Sequence, residues 1–131
     1  MKIILFILLS LSLSAQMKSG IYRYNTIELQ VWSNMQYITK DSSPEKNTLH
    51  FQNNTVTWTS SYLDIDTETF DYIETRKENG YTLHIYLTLS AESMLIIDSD
   101  GYAPMIFTEA NGQEWEHIVK LRNRKNGFKL D

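Results

Sequence analysis

"DYIETRKENGYTLHIYLTL", residues 71–89, is the stretch on which the fold turns. Its second half alternates without a break. Leu83, Ile85, Leu87 and Leu89 share one face of an extended chain, and His84, Tyr86 and Thr88 share the other, because successive strand side chains point to opposite faces. Asn79-Gly80 supplies the positive φ that a hairpin turn requires. A three-residue loop sets Thr75 opposite Leu83 and Ile73 opposite Ile85, with Glu74 opposite His84 and Tyr72 opposite Tyr86 on the reverse side. A two-residue Asn-Gly turn shifts this register by one, and the sequence leaves both open. On the first register the leucines and isoleucines face inward. His84 then lies at the surface beside Glu74, and the Tyr72-Tyr86 face is the place for a protein partner.

The same reading extends along the chain. "TLHF" and "TVTW" flank Asn53-Asn54, so a two-residue turn pairs Phe51 with Val56 and Leu49 with Trp58, leaving His50 and Thr57 on the opposite face. "EANGQ" resembles "KENGY" and sets Phe107 opposite Trp115. Further strands are expected at "GIYRY", "TIELQVW", "MQYIT", "SMLIID" and "APMIFT", with turns at residues 41–47 and at "DSDG", residues 98–101. No stretch sustains apolar residues at helical spacing. Eight to ten short strands with tight turns predict an all-β fold, a single antiparallel meander closed as a small up-and-down barrel, or alternatively a β-sandwich.

The opening "MKIILFILLSLSLSAQ" has one lysine, an apolar run from Ile3 to Leu13 and a small-residue exit at Ser14-Ala15. That is the layout of a signal peptide over residues 1–16, cut near Ala15/Gln16, and the run is too short to span a membrane. The expected product is a secreted or periplasmic protein with one all-β domain over residues 17–131. It ends in a short basic tail carrying Lys120, Arg122, Arg124, Lys125 and Lys129. Without residues 1–16, 11 basic side chains face 16 acidic ones, a net charge of −5. This argues against nucleic acid as a partner. From Asp41 to Glu116 the basic residues are Lys46, Arg76 and Lys77 alone. The chain has no cysteine, so the core must hold the fold without disulfides.

Gly20-Ile21-Tyr22 near the expected mature terminus, followed by a strand meander ending in Arg122, resembles the lipocalin pattern, with Tyr22 where that family has tryptophan. The resemblance implies an up-and-down barrel whose apolar interior takes a small ligand. It also implies an arginine packed over the N-terminal aromatic ring.

Candidate chemistry is sparse. His117 alternates with Trp115, Val119 and Leu121 and so points inward, toward a pocket or a core-edge partner. "DIDTE", with Asp64, Asp66 and Glu68, resembles the start of a calcium loop but lacks its later glycine and glutamate. No serine lies in a nucleophile elbow, so no catalytic, cofactor-binding or metal-binding residue is assigned and no enzyme is expected. Phe51, Trp58, Leu83, Ile85, Leu87, Phe107 and Trp115 are the interior candidates. They nearly fill a barrel of about eight strands. The expectation is therefore a shallow apolar mouth, an apolar void below about 300 Å³, and a binding module that recognises an unknown protein partner or a small apolar ligand. A structural envelope protein without a ligand is the alternative.

Overall fold

The computed structural model describes residues 17–63, 67–111, 114–124 and 129–130. The chain forms nine strands: β1 (Gly20–Ser33), β2 (Gln36–Gln52), β3 (Thr55–Ser60), β4 (Thr67–Glu78), β5 (Tyr81–Leu87), β6 (Ser93–Asp98), β7 (Met105–Asn111), β8 (Glu114–Arg124) and β9 (Lys129–Leu130). From β2 to β8 each strand pairs with the next in sequence. β1 pairs with β2 along one edge and with β8 along the other, so eight strands close into an antiparallel up-and-down barrel. Closure satisfies the backbone edges that a sandwich would leave open. Lys129 and Leu130 add to the β8 edge of β1, opposite Ile21 and Gly20, so the tail is tied down at these two residues.

The alternation of strand directions sorts the connections to two ends. One end gathers the start of β1, the Asn53-Asn54 turn, the Asn79-Gly80 turn and the 99–104 connection. The other, called the mouth below, gathers the Asn34-Met35 turn and the connections that follow β3, β5 and β7.

The interior holds the core. Tyr22, Tyr24, Ile27, Leu49, Phe51, Val56, Trp58, Phe70, Tyr86, Leu95, Ile97, Ile106, Val119 and Leu121 are all buried in one cluster. Phe51 sits at its centre, with Tyr22 and Tyr86 edge-on to it at ring-centroid distances of 5.8 and 5.6 Å. Eight strands enclose just enough room for such side chains. The outward positions of β2 and β3 carry Thr48, His50, Thr55, Thr57 and Thr59. On this side the polarity is the reverse of a barrel that crosses a bilayer.

The first hairpin forms as the sequence indicates, with Leu49 opposite Trp58, Phe51 opposite Val56 and Asn53 at a φ of 52°. The second differs. Asn79 and Gly80 have φ of 51° and 82°, a primed two-residue turn whose twist suits the flanking strands, so Glu78 faces Tyr81 and His84 faces Thr75 rather than Glu74. A bulge at Ile73 then restores Tyr72 opposite Tyr86.

The inward face of β5 is also the opposite of the one expected. His84 and Tyr86 point inward and pair with the buried Ile97 and Leu95. Leu83, Ile85 and Leu87 point outward beside Met94 and Ile96 of β6 and Met105 and Phe107 of β7. Alternation separates two faces without saying which is inner, and both faces of this strand carry large side chains. What decides is that the polar tips of His84 and Tyr86 find partners inside. The Tyr72-Tyr86 face is therefore not a partner surface, since Tyr86 is 1% exposed and packs on Tyr72 at 5.5 Å.

Three further expectations are corrected. Phe107 faces Ile118, while Trp115 faces Ala110; the two rings meet only diagonally, at 6.3 Å. Residues 41–47 are not a turn but the middle of β2. Pro44 is tolerated there because β3 reaches only as far as Asn47, leaving an edge with no ladder bond to lose. The arginine over the N-terminal ring is Arg124, 5.7 Å from the Tyr22 centroid, whereas Arg122 pairs with Glu28 at 3.4 Å.

Candidate functional site

The polar side chains that sequence reading singled out fall at opposite ends of the barrel. His84 belongs to the end where β1 begins. It is 2% exposed, with Nδ1 2.9 Å from Thr75 Oγ1 and Nε2 2.9 Å from Ser99 Oγ; Tyr72 Oη lies 2.7 Å from the same threonine oxygen. Burial pushes the imidazole below its ordinary pKa, against a smaller upward pull from Asp98. The neutral ring has one donor and one acceptor, and a hydroxyl on each nitrogen satisfies either tautomer. The position where an activated serine site carries an orienting carboxylate is occupied by Thr75. Chemically the row Tyr72, Thr75, His84, Ser99 is a fastener that ties β4 and β5 to the 98–101 turn.

That turn is held from three sides. Gly101 N–H donates to Asp98 O at 3.0 Å, and Tyr102 N–H donates to Asp98 Oδ1 at 3.1 Å. Tyr24 Oη donates to the Gly101 carbonyl, and burial pushes the Tyr24 hydroxyl pKa strongly up. Arg124 stacks over the Tyr102 ring at 3.8 Å while donating to Asp100 O at 2.7 Å. Gly101 makes the closure possible. At a φ of 71° a Cβ there would lie 2.8 Å from Tyr22 Cε1. This end is shut.

The mouth is open. Residues of β1, β3, β4, β7 and β8 and of the connection after β3 converge there on a cavity of about 270 Å³. Leu29, Trp58 and Val119 form its apolar floor, and Glu68, Thr108 and His117 supply polar groups. Trp58 is fixed from behind, because its Nε1–H donates to Oδ1 of the buried Asn47 at 3.1 Å. Glu68 is half-buried opposite Trp58. Burial pushes its carboxyl pKa up; a hydrogen bond from Ser93 pulls the other way, and the charge of Glu92 adds a smaller upward push. Leu63 and Glu68 also border a wider groove of about 740 Å³, open to solvent and continued by Thr88, Leu89 and Ser90. Leu89 is 96% exposed at its lip.

Comparison with family models, curated proteins and solved structures finds no match for this chain. Its site must therefore be read from its own residues. Among the described residues no group of three histidine, aspartate or glutamate side chains is placed to hold a metal ion, and no helix is long and apolar enough to cross a membrane.

His117 lies where its alternation places it, facing the cavity. His50 lies on the outward face. Asp64 and Asp66 of the "DIDTE" stretch, like residues 1–16, lie outside the described residues. Glu68 turns into the mouth instead of continuing a calcium loop. Its role was readable in "ETFDY", where Glu68 alternates in phase with Phe70 and Tyr72, and phase with a core aromatic marks an inward carboxylate. Tyr62 and Thr108 carry no comparable signal.

Proposed function

We propose that this protein is a secreted or periplasmic binding module, lipocalin-like in design, whose site is the open mouth of the barrel. The observation that carries the reading is the contrast between a sealed end and a mouth with an apolar floor and a few convergent polar groups, the usual make-up of a ligand site. Export rests on the composition of residues 1–16. The lipocalin-like reading is supported by Arg124 lying over Tyr22, in the arrangement that the Gly20-x-Tyr22 resemblance implies. At about 270 Å³ the cavity accepts a small apolar ligand or one side chain of a partner, and a long-chain lipid would not fit. A protein partner is the second reading. It is favoured by the outward row Leu83, Leu87, Met94, Ile96 and Phe107, half-buried apolar side chains on the outer wall formed by β5, β6 and β7.

The test is titration with a compact apolar fluorophore such as N-phenyl-1-naphthylamine. One-to-one binding, abolished when Val119→Trp fills the cavity floor, is the expected result. Binding that survives Val119→Trp would place the ligand elsewhere and overturn the reading.

A further inference from the structure

We propose that the mouth is selective for a protonated amine carried on a short apolar stem, with the Glu68 carboxylate as its counter-charge. This rests on the mouth being the binding site and goes on to name the chemistry bound there.

Charge is the first argument. Of the described residues that line the cavity and the adjoining groove, Glu68 is the one acid, and neither lysine nor arginine is among them. Its polar partner is the Ser93 hydroxyl, which lends a hydrogen bond but no positive charge. A carboxylate held partly out of water without a cation is costly, and an incoming ammonium removes that cost. A ligand carboxylate would instead set two like charges together. A neutral ligand would bury Glu68 further with no compensation.

The remaining lining suits the rest of such a ligand. Leu29, Leu63 and Val119 provide an apolar bed for the stem, and the volume of about 270 Å³ limits it to a short one. Trp58 and Tyr62 place aromatic rings in the same wall, and aromatic faces attract ammonium groups through their quadrupoles.

A free amphiphilic amine and a lysine side chain of a partner share this chemistry. The experiment is calorimetric titration of the purified protein with hexylammonium, hexanol and hexanoate, and with N-acetyl-lysine amide and N-acetyl-norleucine amide. Hexylammonium is expected to bind at least about tenfold more tightly than hexanol, a difference of about 1.4 kcal/mol, and hexanoate to bind least. Glu68→Gln keeps the shape and the bond to Ser93, and should bring hexylammonium down to the affinity that hexanol has for the same variant. Preference for the lysine amide over hexylammonium assigns the site to a partner's side chain; the reverse assigns it to a free amine. Equal binding of hexanol and hexylammonium, or no effect of Glu68→Gln on hexylammonium, overturns the amine selectivity while leaving the mouth as a binding site. Failure of hexylammonium to bind overturns it as well. Should the fluorophore also fail to bind, the mouth reading falls with it.

Discussion

The two ends of this barrel are made from the same strands, yet one is knitted shut and the other is left with its polar groups facing a cup. At the sealed end polar groups meet one another within the fold. His84 meets Thr75 and Ser99, Tyr24 meets the Gly101 carbonyl, and Arg124 meets Asp100. At the mouth Glu68 bears the cost of burial with a single hydroxyl bond to offset it. On the proposed reading, the contrast separates residues that hold the fold from residues kept, at some loss of stability, for contact with a ligand.

The comparison can be broken most severely at Gly101. Gly101→Ala forces a side chain into left-handed backbone, about 1–2 kcal/mol, and drives its Cβ into the Tyr22 ring, about 1–3 kcal/mol of overpacking. Together these predict a loss of about 2–5 kcal/mol in urea unfolding. Gly80→Ala is the control, since a Cβ at Gly80 meets nothing within 4 Å and only the backbone term applies. Equal losses at the two glycines would show that the 98–101 turn is not seated on Tyr22.

His84 gives an intermediate effect with a sign. Its folded-state pKa lies below the ordinary value of about 6.5, so the unfolded chain takes up the proton first. The stability due to the neutral ring is complete above about pH 6.5 and is lost as pH falls from there through the folded-state pKa. Unfolding free energies measured from pH 8 to pH 5 should decline, and His84→Gln should flatten the decline. A slope unchanged by His84→Gln would remove His84 from the account.

Glu68→Gln should produce the smallest change, and in the opposite direction. Because the Glu68 pKa is raised in the fold, ionisation at neutral pH works against folding, so the neutral amide should give a slightly higher thermal midpoint. A clear fall in the midpoint would make Glu68 a structural residue and remove the asymmetry between the ends.

How far the sequence reveals this arrangement depends on which physical signal each residue carries. Period-two alternation and the asparagine turns are enough for an all-β meander, with barrel and sandwich both left open, and for the pairing of Leu49 with Trp58. His117 was readable as inward from its phase with Val119 and Leu121. The faces of β5 were not readable, because Leu83, Ile85 and Leu87 look more core-like than His84 and Tyr86. Only the folded neighbours Thr75 and Ser99 reveal that the polar face can be satisfied inside. The mouth was half legible, since Glu68 shares phase with Phe70 but the approach of His117 and Thr108 comes from strands distant in the chain. The bulge at Ile73 left no trace in local composition.

β1 has one further consequence. Its partner β2 follows after a two-residue turn, but its other partner β8 begins some ninety residues later, with Val31 meeting His117 and Tyr24 meeting Arg124. All the other seams of the meander join neighbours in sequence, so each needs only a short loop to close. The β1–β8 seam must instead wait for nearly the whole chain, and forming it costs the entropy of the largest loop in the molecule. Closure of this seam is thus predicted to be the slowest step of folding. A chain still emerging from synthesis cannot make this seam until β8 arrives.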